Sequence, residues 1–256
     1  MKMTLNQYIK NPMNSSVFTA AMRETMHSDY NRRFGALMLR EHGRIATRIF
    51  RDEKNNKYYT YFKIPSETIE KFYYDVVIEF YTDEDVKSLG TNLFDYNVRF
   101  FSNDPAFNYT YAYSFNVNDL IIANLKSKMS KKAIKTEAKE KNPSNQIGYV
   151  KTIYFAYLYM QSKGINSINT ANAMSEKMSI QALRNLIEDT DQKIDNREAE
   201  GIKLQRKKSR EKKQEDRRKE AENKTDNTKA VKTTKTIGTT KVNNKITKSV
   251  SKIKRK

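Results

Sequence analysis

The chain has no cysteine, no tryptophan, four prolines and seven glycines. Without cysteine there are no disulfides and no thiolate metal centres, which is compatible with a reducing cytoplasm. The scattered glycines fit neither G-x-x-x-x-G-K-[ST] nor G-x-G-x-x-G, so no phosphate-cradling loop can be read, and no Ser or Cys nucleophile motif is present. No apolar run approaches the roughly 20 residues of a membrane span. The opening MKMTLNQYIKNPMNSS lacks the apolar centre of a signal peptide. The expectation is a soluble protein, made in the cytoplasm and not held in a membrane.

Charge is plentiful but uneven. The 49 Lys and Arg outnumber the 30 Asp and Glu by 19, and 15 of that excess fall after residue 200, where 21 basic residues face 6 acidic ones. Residues 1–200 carry the remaining +4. Within 224–256 eleven basic residues face Asp226 alone, and Val231, Ile237, Val242, Ile246, Val250 and Ile253 stand singly among them. Such a segment buries too little to offset roughly 1–2 kcal/mol of backbone entropy per residue, so it is expected to be disordered by itself.

The candidate contacts of this arm are Lys229, Lys232, Lys235, Lys241, Lys245, Lys248, Lys252, Lys254, Arg255 and Lys256, a nucleic-acid-binding set. Each phosphate neutralised by Lys or Arg releases condensed counterion, which gives salt-dependent affinity. No aromatic residue follows Tyr159, so the arm has nothing to stack on bases and should be blind to sequence. The ordinary alternative is a solubilising tail without a fixed partner. A membrane surface fits less well, because neither an amphipathic face nor a lipidation site accompanies the charge.

Five segments follow from periodicity. Residues 1–43 are an N-terminal helical segment, with a helix over 16–42 capped by Ser16, striped by Phe18, Met22, Met26, Tyr30, Phe34 and Met38, and stopped at Gly43. That stripe is expected to pack on the sheet that follows. Residues 44–116 form an antiparallel β core with strands near 44–51, 57–64, 74–82, 96–102 and 107–116, the first two joined through 52–56 and the second ended by Pro65. Eighteen of the 28 aromatic residues lie in 57–115. The last strand would place Phe107, Tyr109, Tyr111, Tyr113 and Phe115 on one face, as core.

Residues 117–190 are a helical packing region, with helices near 118–139, 150–163 and 170–189 and a turn at Asn142, Pro143 and Gly148. The run Ile153 to Met160 is apolar on every side and reads as a buried helix or an oligomer contact. Residues 191–223 are a charged helical stem whose apolar stripe fades after Leu204, leaving i to i+4 pairs such as Glu215 with Lys219. Residues 224–256 are the basic tail. The fold class is α+β: an aromatic-rich, mainly antiparallel sheet flanked by helices, followed by stem and tail.

No enzyme is expected and no cofactor. His27 and His42 stand alone on the first helix without carboxylates at ligand spacing, so structural or surface roles fit better than metal. Glu67, Glu70, Asp75, Glu79, Asp85 and Lys87 resemble the acid-plus-lysine set of a divalent-metal nuclease, but such a site needs carboxylates converging on ions about 4 Å apart. Asp75 and Glu79 read instead as a solvated outer strand face. A stand-alone single-stranded nucleic-acid-binding protein is the other alternative, stacking bases on Tyr109 or Tyr111. Its strand cations would be Arg44, Arg48, Arg51 and Arg99.

The segments YFKIPSE (Tyr61 to Glu67), SNDPAFNYTYAYSF (Ser102 to Phe115) and NPSNQIGYVKTIYFAYLY (Asn142 to Tyr159) resemble parts of virion-associated head and neck proteins of tailed bacteriophages of low-GC hosts. The resemblance covers about residues 44–160 and carries over no functional residue. It implies a non-enzymatic homo-oligomeric assembly component beside other virion proteins and packaged DNA, located in the virion and, during assembly, in the host cytoplasm.

Overall fold

The computed structural model describes residues 2–10, 19–82, 91–177 and 179–233, with side chains through residue 217 and at Lys219. The chain divides into two compact units, Met1–Ile202 and Lys203–Lys256. The elements in order are α1 (Leu5–Lys10), α2 (Ala20–Arg40), β1 (Ala46–Asp52), β2 (Lys57–Pro65), β3 (Tyr73–Tyr81), β4 (Asn97–Ser102), α3 (Ala112–Val117), α4 (Lys131–Lys135), α5 (Lys151–Ser162), α6 (Ile168–Met174), β5 (Ser175–Glu176), α7 (Ile180–Leu186) and α8 (Thr190–Thr233). The architecture is α+β, as the periodicities predict.

The sheet runs β4-β3-β2-β1-β5, antiparallel throughout except for the short parallel pairing of Ile49 and Phe50 with Ser175 and Glu176. β1 and β2 form the expected hairpin from Ala46↔Lys63 to Asp52↔Lys57. Its turn is fixed by Asp52, whose carboxylate accepts from the backbone N–H and side-chain amide of Asn55 at 3.2 and 2.7 Å, and by left-handed Asn56. Both faces of the central strands are covered. α5 lies on one face, with Met160 against Thr60, Tyr159 edge-on to Phe62 and Thr152 beside Ser102. On the other, Ile180 and Leu183 border a depression of about 470 Å³ together with Phe50 and Tyr59.

α5 is buried on nearly every side, through Ile153, Tyr154, Phe155, Ala156, Tyr159 and Met160. The stripe of α2 packs on it rather than on the sheet. Tyr30 meets Tyr154 and Phe155 at ring separations of 5.5 and 6.3 Å, and Phe34 meets Phe155 at 5.7 Å. The sheet face is already occupied by α5, so α2 forms an outer layer, and Met22 remains 49% exposed. α2 is capped by Thr19, which accepts from Met22 N–H at 3.3 Å; Ser16 and Phe18 lie outside the described residues.

The unexpected α1 buries Leu5, Tyr8 and Ile9. The Tyr8 hydroxyl donates to the Gly148 carbonyl at 3.1 Å and accepts from Val150 N–H at 3.0 Å, while the Tyr149 hydroxyl donates to the Ile9 carbonyl at 2.6 Å. These bonds fasten α1 to the loop before α5.

The expected strand at 107–116 is helical instead. Phe107–Tyr111 is a π-helical turn that leads directly into α3. Asp104 and Pro105 start it: the Asp104 carboxylate accepts from Ala106 N–H at 2.9 Å, and proline suits the first helical position, where no N–H partner is needed. Phe107 and Phe115 are then core, with rings 5.2 Å apart, while Tyr109 is 48% exposed. The expected core face is therefore split by the helix.

Two expected helices are broken. Between 118 and 139 there are a 3-10 turn, Ala123–Lys128, and α4, because Ile121, Ile122, Leu125 and Met129 anchor the first half and the lysine-rich second half has no apolar stripe. Between 170 and 189 the chain forms α6, β5 and α7, since Ser167 and Ser179 each cap a new helix by accepting from Thr170 and Ala182 N–H at 3.0 and 3.2 Å. α8 is continuous from Thr190 to Thr233, so the helix runs ten residues past the stem expected at 191–223. Of the 224–256 segment expected to be disordered, residues 224–233 are instead the last turns of this helix, carried on by the lysine-rich run before them, and 234–256 lie outside the described residues.

Candidate nucleic-acid interface

α8 changes character along its length. Thr190, Lys193 and Ile194 are buried, and Arg197 donates to the Tyr74 hydroxyl at 2.8 Å. Every side chain from Gln205 to Arg217 is exposed. With no apolar face to bury, this part draws local support from i to i+4 pairs, Lys207 with Glu211 at 3.9 Å and Lys219 with Glu215 at 2.7 Å. Each contributes about 0.3–0.5 kcal/mol. Of the predicted contacts, Lys229 and Lys232 lie on the last turns of α8. Lys235, Lys241, Lys245, Lys248, Lys252, Lys254, Arg255 and Lys256 lie outside the described residues.

The body carries a basic ledge that sequence reading passed over. Residues 126–141 hold seven lysines against Glu137 and Glu140, a net of +5, which exceeds the +4 of the whole 1–200 segment. Leu125 and Met129 pin its base. Lys131, Lys132, Lys135 and Lys139 are exposed and make no ion pair among the described residues. An open depression of about 500 Å³ is lined by Lys128, Lys131 and Lys132 opposite Asp189 and Asp191, and Lys128 pairs with Asp189 at 3.5 Å. A neighbouring depression of about 570 Å³ joins Tyr109 to Lys139, Lys141 and Glu198, with the Lys141 ammonium 5.7 Å from the Tyr109 ring centre. A running charge count over some fifteen residues would have found the ledge; a total over 200 hides it.

The strand cations do not form a face. Arg48 pairs with Glu176 at 3.4 Å, and Arg99 pairs with Asp119 at 2.6 Å and lies 4.3 Å from the centre of the Tyr81 ring. Arg51, three residues from Arg48, points to the opposite side of the sheet, 5.7 Å from the centre of the Tyr58 ring. Arg44 is exposed just before β1.

Nor do the acidic residues converge. Asp75 and Glu79 are 3% and 2% exposed, so the solvated strand face expected there is a buried one. β3 is central and both sides of it are covered. Asp75 accepts from the Tyr61 hydroxyl at 2.8 Å, the Asn103 amide at 2.9 Å and Glu188 N–H at 3.2 Å, while burial pushes its carboxyl upward. Glu79 is paired with Lys57 at 2.7 Å and Arg99 at 3.6 Å. Glu67 faces elsewhere, gripped bidentately by Arg33 at 2.7 and 2.6 Å and also by Lys151. Burial alone would raise Glu67, but these cations outweigh it and hold the carboxyl below its ordinary range.

The Arg33, Glu67 and Lys151 group lines a cleft of about 210 Å³ with Asp104, Tyr74 and Arg197. Burial raises Asp104, which is committed to capping the turn at Ala106. Arg33 and Lys151 are engaged with Glu67, and Arg197 with Tyr74, so the cleft reads as a structural clasp between α2, the end of β2 and α5. Asp85 and Lys87 lie outside the described residues, and no group of three His, Asp or Glu able to hold a metal occurs among the described ones. His27 is part of the aromatic seam, its ring 5.1 Å from both Tyr149 and Tyr154. No described helix is long and apolar enough to cross a membrane. No protein-family model, curated protein or solved structure matches the chain.

Proposed function

We propose that the chain is a non-enzymatic structural or packaging-associated component of a tailed-phage virion, whose body joins an oligomeric assembly and whose C-terminal arm holds nucleic acid without reading its sequence. The supporting observation is segregation of charge: an almost neutral, aromatic-cored body followed by a helix exposed all round through Gln205–Arg217, with 15 of the 19 excess positive charges beyond residue 200. Apolar side chains left on the body surface, Leu39 at 82% and Val117 at 57% exposure, suit contacts with other virion proteins or further copies. DNA is the first candidate for the polyanion.

The reading is tested with random-sequence DNA duplexes across a salt series, together with co-sedimentation with virus-like particles. Full-length protein is expected to bind unrelated sequences equally, to lose affinity steeply with salt, and to travel with particles. A chain ending at Ile202 should lose most of that binding. Undiminished binding by the shortened chain, or a strong sequence preference, defeats the arm's assigned role; absence from particles defeats the virion assignment.

One observation favours a second reading, a single-strand-binding body: half-exposed Tyr109 sits beside Lys139 and Lys141. Stacking on such a ring contributes about 1–3 kcal/mol per base. Under that reading Tyr109→Ala weakens single-strand binding severalfold or more without unfolding the protein; under the preferred reading it leaves duplex binding unchanged.

A further inference from the structure

The cations of the exposed helix are ordered by its turn. At about 100° per residue, Lys203, Arg206, Lys207, Arg210, Lys213 and Arg217 fall within an arc of roughly 120°. At about 1.5 Å per residue they form a stripe roughly 21 Å long. Lys208, Lys212 and Lys219 lie on the opposite side, with Glu211 and Glu215 on one flank and Asp216 on the other. The arginines whose side chains are described, Arg206, Arg210 and Arg217, all belong to the stripe. Arginine presents a planar fork that meets phosphate oxygens in pairs, whereas lysine acts as a point charge.

The geometry points to this stripe as a docking face for duplex DNA. The proposal rests on the reading of the arm as a nucleic-acid holder and relocates the ordered part of its contact from the lysines beyond residue 228 to Lys203–Arg217. Duplex is favoured on three grounds. A continuous helix sets its cations at regular intervals, which suits phosphates already held in a regular array. A single strand draws much of its affinity from aromatic stacking, and no aromatic residue follows Tyr159. A duplex also presents about one charge per 1.7 Å of axis, the counterpart of a face bearing six cations and no acid. An α-helix about 10–12 Å across fits a major groove about 12 Å wide.

The test uses full-length protein and two triple variants that remove the same three charges from opposite sides of one helix. Arg206→Gln/Arg210→Gln/Arg217→Gln strips the face; Lys208→Gln/Lys212→Gln/Lys219→Gln strips its back. Glutamine has nearly the helix propensity of the residues it replaces, and circular dichroism checks that helix content is kept. Binding to a random 30-base-pair duplex and to one of its single strands is measured from about 50 to 300 mM salt.

The face variant is expected to lose at least about tenfold in duplex affinity near 100 mM salt and to lower the salt slope by about 2.7, three contacts at 0.9 each. The back variant should lose less than about threefold. Returning lysine at the three arginine positions should recover most of the loss. Equal losses on both sides mean an unordered charge cloud, unchanged binding by both means that the contact lies elsewhere in the tail, and preference for the single strand rejects the duplex; each overturns the proposal while the arm reading survives. Failure of the unaltered protein to bind either probe overturns the arm reading itself, and the proposal with it.

Discussion

The body and the arm keep their shape by different means, and α8 belongs to both. At its start Ile194 is 5% exposed and Lys193 is pinned to Glu188 at 2.6 Å, its ammonium 4.5 Å from the centre of the Phe72 ring. From Gln205 to Arg217 every side chain is exposed. The early turns are helical because tertiary packing holds them, the later turns because a long run of Lys, Arg, Glu and Gln favours helix and pairs charges locally. A segment held by packing responds sharply to one changed atom. One held by many weak local terms hardly responds to any single change, which leaves its surface free to be shaped by charge alone.

Substitutions can break or sharpen that contrast. Phe100 is fully buried between Tyr8 at 4.8 Å and Phe115 at 5.8 Å, so Phe100→Ala should cost about 3–5 kcal/mol in urea unfolding followed by tyrosine fluorescence. A loss below about 1 kcal/mol would mean that the body is not organised around this cluster. Gly148→Ala comes next. A Cβ there would stand 2.3 Å from Cε1 of Tyr111, a ring held against Phe115, and relieving the clash should cost about 1–3 kcal/mol. Pairing it with Tyr111→Ala should restore part of the loss in a double-mutant cycle.

A smaller effect depends on pH. Burial lowers the pKa of His27, whose Nε2 is buried between two tyrosines with no hydrogen-bond partner among the described residues. Its folded pKa is below the unfolded one, near 6.5, so its contribution is complete above that value and is lost as pH falls through the window between the two. Between about pH 7.5 and 5.5 the melting temperature of the natural protein should therefore fall more than that of His27→Phe. The raised carboxyls of Asp75 and Asp104 gain stability on acidification in both proteins and cancel in the difference. Parallel curves would remove His27 from the account. The smallest effect belongs to the arm: Glu215→Ala breaks the pair with Lys219 and should cost no more than a few tenths of a kcal/mol in helix content, with the body's melting unchanged.

The first four strands could be read from sequence because alternation and aromatic density coincide there; β2 and β4 begin and end within a residue of expectation. α5 was legible for the opposite reason, being apolar without a preferred side. The segment from Phe107 to Phe115 misled because one set of residues satisfies two periods. Five aromatics alternate as in a strand, and Phe107, Tyr111 and Phe115 also recur at four, as on a helix. The deciding signal lay upstream in Asp104 and Pro105. β5 had no local signal at all, since two residues pair with β1 only where the chain returns past it. For the candidate interface, the excess charge was legible by counting. The ledge was lost in a total over 200 residues, and the stripe was lost because helical order was sought in apolar residues and not in charged ones.

Among the described residues the sheet has one edge that is hardly closed. β4 is flanked by bridges from Thr4 and Ile121, whereas the outer side of β1 has ladder partners, among the described residues, at Ile49 and Phe50 only. Arg48 and Arg51 stand on either side of that short pairing, one toward each sheet face. Bulky cations on an edge strand oppose a second strand sliding alongside, because two copies would bring like charges together as they zip. An incomplete edge of this kind therefore needs no further strand to keep two sheets from joining.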